Sequence, residues 1–275
     1  MIDLHCHSHF SDGLLSPEAI VQKAIENQLE MLALTDHDTV AGISELHKAA
    51  KNHALRLING IELSTRWKKH DLHILGLNIQ PEHEELLQLI NQQNESRIVR
   101  AKEISNRLQP YRVRDAYEKA CTLAGHARAG RPHFAQILVN EGFAKDLQSA
   151  FKRFLGRGRP AYVSTPWISI EQAVEGITAA GGDAVLAHPL KYKLTRVKLH
   201  ELINSFKEAG GTGMEVVSGD MVRAHINELG ALCKRFDLLA SSGSDFHGAG
   251  LSRVGLGKQQ SLPSDCLPIW QHWIN

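Results

Sequence analysis

The chain opens with Met1-Ile-Asp-Leu-His5-Cys6-His7-Ser-His9-Phe-Ser-Asp12-Gly13, a short apolar start that runs into alternating histidines. In an extended strand, residues i and i+2 share a face, so His5 and His7 project together while Cys6 projects to the other side. Two imidazoles on one side of a strand form a metal-binding pair. Asp12 adds a hard oxygen donor, and Gly13 allows the loop to turn back over the strand end. A strand that begins almost at residue 1 leaves no room for a cleavable leader, so none is expected.

The same device recurs along the chain as apolar runs that end in polar residues. Met31-Leu-Ala-Leu-Thr35 ends in Asp36-His37-Asp38, Leu55 to Leu63 carries Glu62, and Leu72 to Leu77 carries His73. Farther on, Asp183-Ala-Val-Leu-Ala-His188-Pro189, Met214-Glu-Val-Val217 and the run from Leu238 to Asp245-Phe-His247 read as three more strands. Helical patterns separate most of them: Pro17 to Glu30 behind an N-cap at Ser16, Val40 to His53, Arg196 to Ala209 and Met221 to Phe236. Ser169-Ile-Glu-Gln172 fits a capping box that opens another helix. Seven strands alternating with helices predict an α/β chain whose parallel sheet closes, or nearly closes, into a barrel, with its chemistry at the C-terminal strand ends.

The alternation breaks once. A long helix is expected from Pro81 to Leu108, followed by short helical patterns punctuated by glycine up to Arg159. The expected organisation is therefore a first barrel part (1–96), a basic helical insertion (97–160) and a second barrel part (161–275). Overall the 275 residues carry a net charge of +1, but Arg97 to Arg159 hold 14 Lys and Arg against 5 Asp and Glu, or +9, leaving the remainder at −8. A basic segment in an acidic frame suits a phosphate-bearing substrate. No apolar run is long enough to span a membrane. Cys6, Cys121, Cys233 and Cys266 lie far apart with no Cys-x-x-Cys pair, arguing against a disulfide framework or a thiolate zinc site. A cytoplasmic protein with no obligatory protein partner is expected.

Strand ends and their loops thus deliver nine candidate ligands to one face: His5, His7, Asp12, His37, Glu62, His73, His188, Asp245 and His247. One catalytic zinc needs three protein ligands and an octahedral ion takes at most six, so nine imply two or three divalent ions. Imidazole mixed with carboxylate, without thiolate, suits manganese, zinc or iron. Glu62 and Asp245 are the natural bridging carboxylates. The other histidines, His126 among them, lack this placement and read as surface or structural residues.

His5-Cys-His7-Ser-His-Phe-Ser-Asp12-Gly, Thr35-Asp-His37-Asp-Thr39, Gly60-Ile-Glu62, His73, His188-Pro189 and Ser244-Asp245-Phe-His247, in this order, resemble the successive motifs of the PHP (polymerase and histidinol phosphatase) superfamily. The resemblance implies a distorted seven-stranded (β/α)7 barrel and a trinuclear phosphoesterase site, with manganese as the leading cofactor and Zn²⁺ or Fe²⁺ as alternatives. It would place His5, His7, Glu62 and Asp245 on one metal, Glu62, His73 and His188 on a second, and Asp12, His37 and His247 on a third. Gly130-Arg131-Pro132-His133-Phe134-Ala135 and Gly158-Arg159-Pro160-Ala161-Tyr162-Val163 are similar to segments of small stand-alone bacterial members. Those members act as nucleoside 3′,5′-bisphosphate phosphatases and 5′-to-3′ exoribonucleases.

Arg131 and His133 would open a helix whose guanidinium, imidazole and free N–H groups grip a substrate phosphate. The expected reaction is in-line attack by a metal-bound hydroxide on the 3′-phosphorus of a nucleoside bisphosphate or of a short 5′-phosphorylated RNA. Asp38, Lys191 and Arg253 are candidates to assist. A histidinol-phosphate-type phosphatase and a metal-stabilised module that binds nucleic-acid ends without cleaving are the alternatives.

Overall fold

A computed structural model describes residues 1–273. Its strands are β1 (Ile2–Asp3), β2 (Met31–Leu34), β3 (Arg56–Trp67), β4 (His70–Leu77), β5 (Ile168–Ser169), β6 (Asp183–Leu186), β7 (Gly213–Ser218) and β8 (Leu239–Gly243). Seven of them follow one another in the order β1-β2-β3-β4-β6-β7-β8, and the two-residue β5 pairs with β3 alongside. Backbone bonds from Leu4 N–H to Ser242, from Asp245 N–H to His5 and from His7 N–H to Phe246 bring the two ends of the sheet together into a nearly closed barrel. Gly243 makes that approach possible, since a Cβ there would sit 2.3 Å from the Cβ of His5.

The expected barrel of seven strands is present, with one reversal. β4 runs antiparallel to both β3 and β6, because only Lys68 and Lys69 separate it from β3. A two-residue connection makes a hairpin, whereas a parallel neighbour needs a crossover of a dozen residues or more. Lys68, at φ 52°, takes the left-handed conformation that such a turn requires. The reversal brings His73, in the first half of its strand, to the same barrel end as the residues that close the parallel strands. β3 also runs four residues past Leu63, through the polar Ser64-Thr-Arg-Trp67 segment that its apolar pattern does not announce.

Helices α1 (Pro17–Glu26), α2 (Ile43–Ala50), α7 (Ile170–Ala179), α8 (Arg196–Glu208) and α9 (Arg223–Arg235) surround the sheet. Ser16 caps α1 by accepting from Ala19 N–H, and Ser169 with Gln172 forms the capping box of α7. Leu4, just past β1, Met31, Ile58, Leu75 and Val185 from β2, β3, β4 and β6, and Ile269 near the C-terminus belong to one buried cluster. Between β4 and β5 lie α3 (Glu84–Leu108), α4 (Ala116–Ala124), α5 (Arg131–Asn140) and the short α6 (Leu147–Ala150). These helices have their own core around Ala101, Ile104, Leu108, Phe134, Leu138 and Leu155. The long α3 serves both cores: Leu86 and Ile90 pack with the barrel and its helices, while Ala101, Ile104 and Leu108 pack in the second cluster.

Candidate metal centre

The first loop is fixed before any chemistry is considered. Asp36, buried at the end of β2, accepts from Ser8 N–H at 2.8 Å, from Ser8 Oγ at 2.5 Å and from Ser11 Oγ at 2.6 Å. Gly13 closes the loop with its N–H on Ser8, and a Cβ there would fall 2.2 Å from the carbonyl oxygen of His7. Cys6 turns away, as the alternation requires, and its thiol donates to Ala33. His5 and His7 turn inward with their Nε2 atoms 3.1 Å apart.

All nine sequence candidates come together at this end of the barrel. Glu62 is the hub. Its Oε2 lies 3.3, 3.2 and 3.1 Å from nitrogens of His5, His7 and His37, and its Oε1 lies 2.8 and 2.9 Å from His73 and His188. Asp245 Oδ1 sits 3.4 Å from His5 and 3.5 Å from His7, while Asp12 Oδ1 sits 3.3 Å from His247 and 3.8 Å from His37. Four overlapping sets converge within 4.8 Å: His7-Asp12-His37-His247, His5-His7-Asp245, His5-Glu62-His188 and His37-Glu62-His73. Donors about 2.0–2.2 Å from a shared tetrahedral ion stand about 3.3–3.6 Å from one another, and the contacts here, from 2.8 to 3.8 Å, bracket that spacing. Asp12 Oδ1, His37 Nδ1, Glu62 Oε2 and His188 Nδ1 are buried without a hydrogen-bond partner. A nest of orphaned nitrogen and carboxylate donors fits divalent cations, so the residue set passes the chemical test for metal binding.

Electrostatics point the same way. Burial alone would raise the Glu62 carboxyl, but His37, His73 and His5 outweigh it and hold it well below the usual carboxylate range. Asp12 is likewise held down, against burial, by His37 and His247. Burial and then the Lys191 ammonium push His188 down to about 3, keeping its imidazole neutral and free to ligate. The backbone bends sharply to present these groups, with φ of 28° at His188 and 52° at Asp245. Such conformations cost about 1–3 kcal/mol each for non-glycine residues and persist only where surroundings hold them.

Part of that support comes from Glu215, which the sequence reading passed over. Its Oε1 accepts from His5 Nδ1 at 2.9 Å and its Oε2 accepts from the His188 N–H at 2.6 Å. It thereby orients one candidate ligand through its ring and another through its backbone. The available signal was a lone carboxylate inside the apolar run Met214-Glu-Val-Val217.

Asp38, a candidate assistant, is committed elsewhere. It is fully buried and bonded to Arg97 Nε at 2.6 Å, to Gln93 Nε2 at 3.2 Å and to Ser64 N–H at 2.8 Å, so it anchors α3 to the barrel. Lys191 Nζ contacts Asp245. Arg253 stands exposed, 3.9 Å from Asp220.

Two clefts flank the cluster. One, of about 180 Å³, is lined by Asp12, His37 and His73 on the metal side and by Arg97, Arg100 and Arg131 on the other. Arg97 and Arg100 are each only 7% exposed and lie against the Trp167 ring at 5.4 and 4.7 Å. Burial, and then Arg97 and Arg131, push the Arg100 guanidinium well below its ordinary value, and its Nε has no partner. His133 does not line this cleft; its Nδ1 accepts from Gly130 N–H at 2.9 Å and so caps α5. His126, expected to be a surface or structural residue, donates from Nε2 to the Ser11 carbonyl at 3.3 Å and lines a small pocket with Asp12, His37 and Arg128. The second cleft, of about 440 Å³, opens on the β6–β8 side and is lined by His188, Asp245 and His247.

The PHP domain family matches residues 3–158 of this chain. A "5'-3' exoribonuclease" of Haemophilus influenzae is 41% identical over 98% of this chain and 97% of its own length. A "3',5'-nucleoside bisphosphate phosphatase" of Chromobacterium violaceum is 38% identical over 98% of this chain and 95% of its own length. Among solved structures, an amidohydrolase from Chromobacterium violaceum with bound sulfate and no metal superposes with a TM-score of 0.94 at 38% identity, covering 98% of this chain and 95% of that one.

Proposed function

The chain belongs to the PHP domain family, and from that premise we propose that it is a metal-dependent phosphoesterase acting at the 3′-phosphorus of nucleotides that carry a 5′-phosphate. Its substrates in this reading are nucleoside 3′,5′-bisphosphates and short 5′-phosphorylated RNA, a reading supported by relatives named as a 3',5'-nucleoside bisphosphate phosphatase and a 5'-3' exoribonuclease. The observation that carries the reading is the first cleft. It sets the buried guanidiniums of Arg97 and Arg100, with Arg131, opposite the candidate ligands Asp12, His37 and His73.

The nine residues His5, His7, Asp12, His37, Glu62, His73, His188, Asp245 and His247 would hold three divalent ions, with manganese the proposed metal. Bound there, the ions supply Lewis acidity toward phosphoryl oxygens and lower the pKa of water. The protein does the positioning. Glu215 fixes the His5 ring and the His188 backbone, and Arg100 with Arg131 takes the 5′-phosphate as a charge-assisted anchor. Arg131 belongs directly to that anchor, whereas His133 supports it by capping the helix on which Arg131 stands. Lys191, beside Asp245, is the cation placed to meet charge at the reacting end. A cytoplasmic site of action is part of the proposal, and four unpaired cysteines suit a reducing compartment.

The test offers Mn²⁺-loaded protein adenosine 3′,5′-bisphosphate and, separately, a short 5′-phosphorylated RNA. Phosphate with 5′-AMP is expected from the first and successive 5′-mononucleotides from the second. Inactivity toward both, with bound metal verified by elemental analysis, would overturn the assignment.

A further inference from the structure

We propose that the second cleft seats the nucleoside on the far side of a scissile phosphodiester, so that the enzyme holds two consecutive nucleotides of an RNA 5′ end. This rests on the phosphoesterase reading and deepens it. The nine candidate ligands divide evenly: Asp12, His37 and His73 face the first cleft, His188, Asp245 and His247 face the second, and His5, His7 and Glu62 line neither. A phosphorus seated over the shared hub at Glu62 therefore has one open side toward each cleft. A phosphomonoester has one organic substituent and needs one cleft. A phosphodiester has two.

The sizes and linings differ in the way two nucleotides of different role would require. The first cleft, at about 180 Å³, has three arginines in its wall and suits the 5′-phosphorylated end. The second, at about 440 Å³, lies within the range of about 300–1,000 Å³ in which organic ligands bind. Its wall combines Met221, Leu229 and Leu251 with the His225 imidazole, an apolar surface and a ring on which a base can stack. Arg253 stands at its rim, 85% exposed and held only loosely by Asp220, where the next phosphate of an RNA chain would pass.

In the reaction this implies, the oxygen of water bonds to phosphorus, the P–O3′ bond breaks and the departing O3′ takes up a proton. The phosphate remains on the 5′-oxygen of the nucleotide in the second cleft. The shortened RNA thus leaves with a new 5′-phosphate, the group the arginine cleft reads, and becomes the next substrate after moving across by one residue.

Leu251→Trp fills the second cleft and His225→Ala removes its ring, and neither residue is a candidate ligand. Each variant is compared with wild type on adenosine 3′,5′-bisphosphate and on 5′-phosphorylated diadenylate. Binding of a diadenylate analogue with a methylene in place of the bridging 3′-oxygen is measured alongside. Both variants should keep kcat/KM for the bisphosphate within about twofold while losing about tenfold on the dinucleotide, the order of one stacked base. The analogue's Kd should rise by a similar factor. Equal losses on both substrates, or unchanged dinucleotide turnover and analogue affinity, would overturn the proposal. A wild-type enzyme inactive on both substrates would refute the phosphoesterase reading itself. The analogue would still decide the cleft, because equal affinity in wild type and Leu251→Trp, or none in wild type, overturns it.

Discussion

Glu215→Gln isolates what a buried carboxylate contributes when it touches no substrate. In the native fold its two oxygens each accept from a buried donor, His5 Nδ1–H at 2.9 Å and His188 N–H at 2.6 Å. Glutamine keeps the shape but offers one oxygen and one NH₂ group, so one of the two donors must face another donor. An unmet buried donor costs about 1–3 kcal/mol, which corresponds to roughly 5- to 150-fold in an equilibrium constant. Loss of a carboxylate behind a metal-bound histidine weakens metal binding by about 10- to 100-fold, the same order. Burial pulls the His5 imidazole down, but Glu215 and then Glu62 push it up to about 10, so removing the charge also lowers the basicity of the ring. Competition of the variant against a chelating dye for Mn²⁺ should therefore show affinity lower by about tenfold or more. A melt in excess chelator checks that it remains folded. A folded Glu215→Gln protein with metal affinity within twofold of wild type would refute the role assigned to this residue.

Arg97→Ala strands Asp38, which is fully buried, and breaking one side of such a pair should lower unfolding free energy by about 3–5 kcal/mol in urea titrations. Arg131→Ala should raise KM for a nucleoside bisphosphate about tenfold or more with metal content unchanged, as expected for loss of a charge-assisted contact; an unchanged KM would remove it from the anchor. Chelation should lower Tm, because orphaned donors such as Glu62 Oε2 and Asp12 Oδ1 lose the cation that satisfies them. Imidazoles must be neutral to ligate, and against burial Glu215 and Glu62 push His5 up to about 10 in the metal-free fold, so the gap in Tm between loaded and chelated protein should narrow as pH falls below that value. A gap independent of pH would count against histidine ligation.

The sequence announced whatever follows from alternation and from strand ends. His5 and His7 sharing a face, the capping box at Ser169, and the seven strands of the barrel path need only local periodicity. His37, Glu62, His188 and Asp245 stood out because polar residues close apolar runs. Glu215 and Asp36 escaped because each supports other groups, and support depends on distances across 27 to 210 residues of chain. The reversal of β4 follows from the two-residue spacing between Trp67 and His70, but the polar Ser64-Thr-Arg66 stretch hid how far β3 runs and so how tight the turn is. Arg100 looked like one basic residue among many on a helix; its burial against Trp167 is a tertiary fact. His133 had the right position for an anchor, yet its imidazole turns back on its own helix start.

The 25-residue α3, about 37 Å long, belongs to two cores at once. Halfway along it, Gln93 and Arg97 lock onto Asp38 and Ser64. Melting the insertion would fray the end of a helix whose other end covers the barrel, so the two cores should unfold as one cooperative unit rather than as independent foldons. The same arrangement separates two kinds of evolutionary change. The insertion between Leu108 and β5 can be rebuilt to alter what is gripped, while the locked half of the helix keeps the mouth of the barrel in register.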